Sequence, residues 1–107
     1  MKQPWSPAFA TRTINEIGSS LKLTISYTAH AKQRMLERDL VIGDVKYVLK
    51  RGFVHEEPEQ STQVGLYKYK IESRTPNSNN RTVRLIIIPD NTSFWVKIVS
   101  IMWSDET

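Results

Sequence analysis

The 107-residue sequence predicts an α+β fold: two or three N-terminal helices packed on one face of an antiparallel sheet of about four strands. Three observations carry this expectation. The first half of the chain sets apolar residues at helical spacing and closes its segments on Gly. The second half changes period to an alternation rich in β-branched and aromatic residues. The long strands follow one another through polar connections, so they should pair as a meander, antiparallel by default.

Each element has its own signal. Ser6-Pro7 has the form of a helix start, with Ser as cap and Pro at the first helical position. Phe9, Ile14 and Ile17 lie loosely on one face, and Gly18 is placed to end the helix. Leu21–Tyr27 alternates apolar and polar residues, as a strand does. Thr28 can then cap a helix over about 29–38, a run of good helix formers. Asp44, or the residues just before it, opens a second short helix. Val45, Val48 and Leu49 form its buried stripe and Gly52 its stop, while Lys46, Lys50 and Arg51 suit the negative end of its dipole. Phe53–Glu57 reads as a short edge strand. The long strands are expected at Gly65–Glu72, Arg81–Ile88 and Ser93–Trp103. Turn-forming residues fill Arg74–Asn80 and Pro89–Thr92 between them.

Composition bounds the rest. The length suits one domain, 1–107. With 39% apolar and 24% charged residues the chain falls among globular rather than disordered sequences. The absence of Cys excludes disulfides, thiolate zinc sites and cysteine nucleophiles, and fits a cytoplasmic location. No apolar run of signal-peptide length follows Lys2, and the longest unbroken one, Leu85–Ile88, reads as a buried strand, so no membrane partner is expected. The net charge of +4 is uneven: residues 1–54 carry nine Lys and Arg against four Asp and Glu, residues 55–107 six against seven. The excess belongs to the helical half. A nucleic-acid surface would therefore be centred where helix 29–38 meets the sheet, with the acidic 55–59 segment away from it.

The most informative segment is Tyr27–Arg38. His30, Arg34 and Arg38, spaced i, i+4, i+8, form one polar, cationic stripe on a helix, with Ala31, Met35 and Leu36 toward the other side. Such a stripe can clamp a phosphate, since Arg offers a forked pair of donors and an imidazole can give or take a proton near neutrality. The alternative is a solvated face in which Glu37, Asp39 and Asp44 pair with the arginines to support the fold.

The segment His30-Ala31-Lys32-Gln33-Arg34-Met35-Leu36-Glu37-Arg38, followed by Val45, Val48-Leu49 and Gly52, resembles the pattern H-A-x-x-R-M-x-x-R, turn, short helix, Gly. That pattern marks a bacterial domain-of-unknown-function family, number 4258. The resemblance runs from about Leu23 to Trp103 and leaves the N-terminal helix, within 1–20, outside. One departure is Asp39-Leu40 at the turn, where the family often has Gly. The family is similar in outline to RelE-like and BrnT-like toxins, small basic α+β domains of toxin–antitoxin modules on mobile DNA. The resemblance implies a RelE-like fold and a metal-independent endoribonuclease acting on RNA, free or on the ribosome, with a protein antitoxin as partner and no cofactor. It carries over His30, Arg34 and Arg38 as catalytic residues. Its alternative is a non-catalytic module of the same fold, binding nucleic acid or a protein as ParE-like proteins do, or a partner or immunity domain.

RNA cleavage by the 2′-hydroxyl route needs a base, an acid and cations that stabilise the charged phosphorane. With two His and no H-x-x-x-H or H-E-x-x-H pattern, a metal site is not expected. Candidate cations on the sheet are Lys68, Lys70, Arg81, Arg84 and Lys97. Lys68 and Lys70 must share one face, opposite Tyr67 and Tyr69. Thr82, Arg84 and Ile86 share another, as do Trp95, Lys97 and Val99. Lys and Arg interleaved with aromatics make a platform for bases and phosphates. They equally make the solvated face of a sheet whose edge Lys discourages unwanted pairing. His55, in an acidic segment, reads as a solvated edge residue or as an acid–base pair with a neighbouring Glu. Trp5, Trp95 and Trp103 read as core or interface residues, Trp103 also as a docking point for a partner.

Overall fold

The computed structural model describes residues 2–106. Its elements are α1 (Pro7–Ser19), β1 (Thr24–Tyr27), α2 (Ala29–Glu37), α3 (Ile42–Arg51), β2 (Phe53–Val54), β3 (Glu59–Gln60), β4 (Tyr67–Arg74), β5 (Thr82–Asp90) and β6 (Trp95–Trp103). The fold is α+β, with the helices in the N-terminal half and a mostly antiparallel sheet of order β1-β6-β5-β4-β2, β3 pairing with β4. Among the described residues, no helix is long and apolar enough to cross a membrane.

The helix starts follow local chemistry. The Ser6 hydroxyl accepts from the Phe9 N–H at 3.3 Å, and the Thr28 hydroxyl from the Ala31 N–H at 3.0 Å. At α3 the N-cap is Val41, whose side chain has no oxygen to offer. Asp44 reaches back instead, and its Oδ2 accepts from the Val41 N–H at 2.8 Å. Asp44 is buried. Its carboxylate also accepts from the Thr75 hydroxyl at 2.6 Å and from Asn77 Nδ2 at 2.9 Å, locking the start of α3 to the β4–β5 loop. The expected pairing of Asp44 with the arginines is thus not formed: three neutral donors already fill its oxygens.

α2 ends in a left-handed turn. Asp39 has φ +54°, the Leu40 N–H bonds the Met35 carbonyl at 2.9 Å, and the Asp39 N–H reaches the Leu36 carbonyl at 3.4 Å. This double closure favours Gly at the Asp39 position, and Asp is among the few other residues that tolerate it.

Three expectations need correction. Gly18 does not end α1, which continues to Ser19. A Cβ on Gly18 would lie 2.8 Å from Leu49, so its lack of a side chain lets α1 pack closely on α3. The sheet has six strands rather than four, and β1 runs parallel to β6 (Ile25↔Val96, Tyr27↔Ile98). The meander argument governs consecutive strands only; β1 and β6 are separated by most of the chain. Finally, β4 and β6 start about two residues late, because Gly65 (φ +81°) and Phe94 (φ +55°) are turn residues.

The core lies on one sheet face. Tyr69, Ile71, Val83, Leu85, Ile87 and Ile98 are fully buried there. α1 brings Ala10, Ile14 and Ile17, and α3 brings Val45, Val48 and Leu49. Trp5 stacks on Tyr69 at 5.4 Å, its backbone N–H donates to the Tyr69 hydroxyl at 2.9 Å, and burial pushes that phenol up to about 12. The segment before α1 thereby closes one end of the core.

Candidate functional site

Among the described residues, no helix packs across the opposite sheet face. Along β5 and β6 buried and half-buried residues alternate, and the half-buried ones form this open face. Arg84 and Ile86 project from β5, Lys70 and Glu72 from β4, and Trp95 and Lys97 from β6, as the cross-strand pairs Lys70↔Ile86, Glu72↔Arg84 and Ile88↔Lys97 require. Lys68, by the same alternation, lies with Lys70.

A bulge in β6 decides one residue of this face. Ile86 pairs with Ser100 and Ile87 with Ile98, so Val99 is skipped. Ser100 therefore joins the open face instead of the core, and Val99 leaves the register in which it was expected beside Lys97. The buried apolar residues of β6 accordingly step by two from Val96 to Ile98, then by three to Ile101.

α2 flanks this face. β1 ends at Tyr27, and from there α2 runs beside β6. The Thr28 N–H donates to the Ile98 carbonyl at 3.1 Å and the Thr28 hydroxyl to the Val99 carbonyl at 2.8 Å. This sets His30 at the rim, with Nε2 3.1 Å from Ser100 Oγ. Arg84 is a diagonal neighbour of Ser100 in the β5–β6 ladder, which places their backbones roughly 7–8 Å apart. The ring is exposed, so it is both held and reachable.

The two arginines of the stripe are engaged elsewhere. Arg34 Nη1 lies 2.8 Å from Glu37 Oε1. Arg38 grips Glu106 with both Nε and Nη2 at 2.5 Å and touches Glu37 at 3.2 Å. Hydrogen bonds from Arg34 and Gln33 pull the Glu37 carboxyl down, and the Arg38 fork holds Glu106 at about 2, far below the usual carboxylate range. Arg81 lies off the open face: its guanidinium sits 4.2 Å from the Trp103 ring centre and 3.0 Å from Asp105.

The far rim is acidic. Glu72 Oε2 accepts from Arg84 Nε at 2.8 Å, and its other oxygen is 3.8 Å from His55 Nε2. Lys70 Nζ lies 3.6 Å from Glu56. Residues 55–56 thus border the open face, where the charge count put them away from it, because β2 pairs with β4 and leads the chain along that edge. From β6 to β2 is three strand spacings, roughly 14 Å, so His30 and His55 cannot serve opposite oxygens of one phosphorus. Lys68 and Lys97 make no ion pair among the described residues. Trp95 stands on the same face as Lys97 and donates through Nε1 to Ser26 Oγ at 3.1 Å. Trp5 is core, and Trp103 is half-buried on the helix side. Among the described residues, no cluster of three or more His, Asp or Glu is arranged to hold a metal ion.

The face thus joins a seated imidazole to unpaired lysines and a half-buried aromatic. A family model described as Domain of unknown function (DUF4258) matches residues 27–103, from the last residue of β1 to the end of β6. The chain belongs to this family. The match takes in α2, α3 and the five strands after them, and leaves out α1 and all but the last residue of β1, although α1 supplies part of the core. No curated protein and no solved structure matches the chain.

Proposed function

We propose that the open face binds RNA and that His30 moves a proton in its metal-independent cleavage, as a RelE-like toxin-type domain would. The observation that carries this reading is the 3.1 Å contact of His30 with Ser100 at the rim of the face bearing Arg84 and Lys97. Ser100 fixes the ring and leaves its other nitrogen for a substrate. In the reaction, His30 takes the proton of a ribose 2′-hydroxyl as that oxygen forms a bond to phosphorus. The bond from phosphorus to the 5′ oxygen breaks, and the departing oxygen takes a proton from water. Arg84 and Lys97 stabilise the charge on the phosphorane. Lys68 and Lys70 extend the track for the strand, and Trp95 offers a surface for a base. Arg34 and Arg38 act on this scheme through α2, which their ion pairs hold in place. RNA, free or on the ribosome, is the substrate class, and a protein antitoxin is the expected partner.

The test is incubation of purified protein with translating ribosomes and with free RNA, beside a His30→Ala variant. Cleavage should occur in one setting and fall at least about a hundredfold in the variant, the lower range of general acid–base effects. No cleavage in either setting, or equal cleavage by the variant, overturns the proposal. A binding module without catalysis is the second reading, favoured by the saturation of Arg34, Arg38 and Arg84 with carboxylates. It predicts RNA binding that His30→Ala leaves intact and no cleavage by either protein. Growth arrest on expression separates the toxin reading from an immunity or partner role.

A further inference from the structure

The helix side of the sheet is not fully covered. α3 packs over β4 and β5, α1 packs on α3 and β2, and α2 lies at the edge of β6. A trough remains between β1 and α3. Leu23, Ile25 and Tyr27 form one wall, at the two-residue spacing of a strand face. Ile42, Lys46 and Lys50 form the other, at the four-residue spacing of a helix face. Tyr27 and Ile42 also line a second depression, with Met35, Leu36, Leu40 and Val41, so the two are continuous. Leu21 at one end is 105% exposed and Leu36 at the other 81%, with Val41 and Ile42 at 55% between them. Such exposure of several large apolar side chains along one depression marks an interaction surface.

Charge identifies the occupant. Lys32, Lys46 and Lys50 line the trough, no carboxylate does, and none of the three makes an ion pair among the described residues. The α3 wall from Ile42 to Lys50 rises roughly 12 Å, just over two helical turns. We propose that this trough receives an amphipathic helix of a partner protein, with an apolar stripe on β1 and Met35, and acidic residues three or four apart facing Lys46 and Lys50. A second copy of this chain does not fit: an isologous pair would set lysine against lysine. The vesicle arm of the test below separates a bilayer surface from a helix. The surface lies on the opposite side of the sheet from His30, so it stands whether or not the open face cuts RNA.

The probe is a fluorescein-labelled helical peptide of about four turns, Leu on one stripe and Glu beside it, against the same peptide with Lys for Glu. Anisotropy should show saturable binding of the Glu peptide, at least about tenfold tighter than the Lys peptide, with a gain of helical circular dichroism. Ile42→Asp or Leu36→Asp, both at exposed positions, should weaken it at least about tenfold, and Lys46→Glu with Lys50→Glu should reverse the preference. Equal binding of both peptides, no binding, or binding without gain of helix overturns the proposal. So does binding to phosphatidylserine vesicles in place of the peptide, or self-association that Ile42→Asp abolishes.

Discussion

The His-Arg stripe of α2 and the open sheet face are both cationic, and they dispose of their charge differently. On α2, Arg34 and Arg38 face Glu37 and Glu106 at 2.5–2.8 Å and are close to neutral as a group. On the sheet, Lys68 and Lys97 meet no acid within ion-pair reach among the described residues, while Arg84 and Lys70 share Glu72 and Glu56. The densest cationic motif in the sequence is thus the less available to a phosphate. Charge counted along a chain measures what a ligand can use only after the carboxylates that fold back onto it are subtracted.

The contrast can be broken outright by loosening the frame beneath it. Asp44→Ala strands the Val41 N–H, the Thr75 hydroxyl and the Asn77 amide, and should cost about 2–3 kcal/mol in chemical denaturation. Next in size is charge reversal on the sheet. Lys68→Glu with Lys97→Glu should weaken single-stranded RNA binding by about ten- to a hundredfold at low salt and reduce the salt slope. Arg34→Ala with Arg38→Ala should change the same binding by no more than about threefold; equal losses would erase the distinction. Glu72→Gln sharpens it from the other side: with Arg84 released, affinity should rise about two- to fivefold in the same assay. The smallest effect belongs to pH. Glu106 has its folded pKa depressed to about 2, so its pairing stabilises the fold above the usual carboxylate value and is lost as pH falls through about 2. The pair is exposed, so the contribution should stay below about 1 kcal/mol. Carboxyl NMR should show this midpoint, and Arg38→Ala should return it toward the ordinary range.

The helices and long strands were legible because each carries its own local chemistry: Ser6-Pro7, Thr28, the Val45–Val48–Leu49 stripe, and the alternation from Tyr67 onward. What escaped was non-local. The parallel β1–β6 pair joins segments with no turn between them. Gly18 reads as a stop from its neighbours, and only its contact with Leu49 reveals a packing role. Of the residues placed on the site from sequence, His30, Lys68, Lys70, Arg84 and Lys97 lie on or at the rim of one face. Arg38 and Arg81 are turned to Glu106 and Asp105, which lie far away in the chain, and Arg34 to Glu37 on its own helix. Ser100, the seat of His30, was hidden by a one-residue bulge that strict alternation does not foresee.

The bond between His30 and Ser100 spans 70 residues. β1 likewise pairs only with the last strand, and Thr28 and Arg38 tie α2 to residues 98–106. During synthesis the N-terminal half can form its helices early, but long-range pairings of this kind close late. The imidazole therefore has no seat until β6 has been made. Formation of the open face is coupled to the making of β6, so a chain cut short before β6 would carry the His-Arg helix without Ser100 to hold its imidazole.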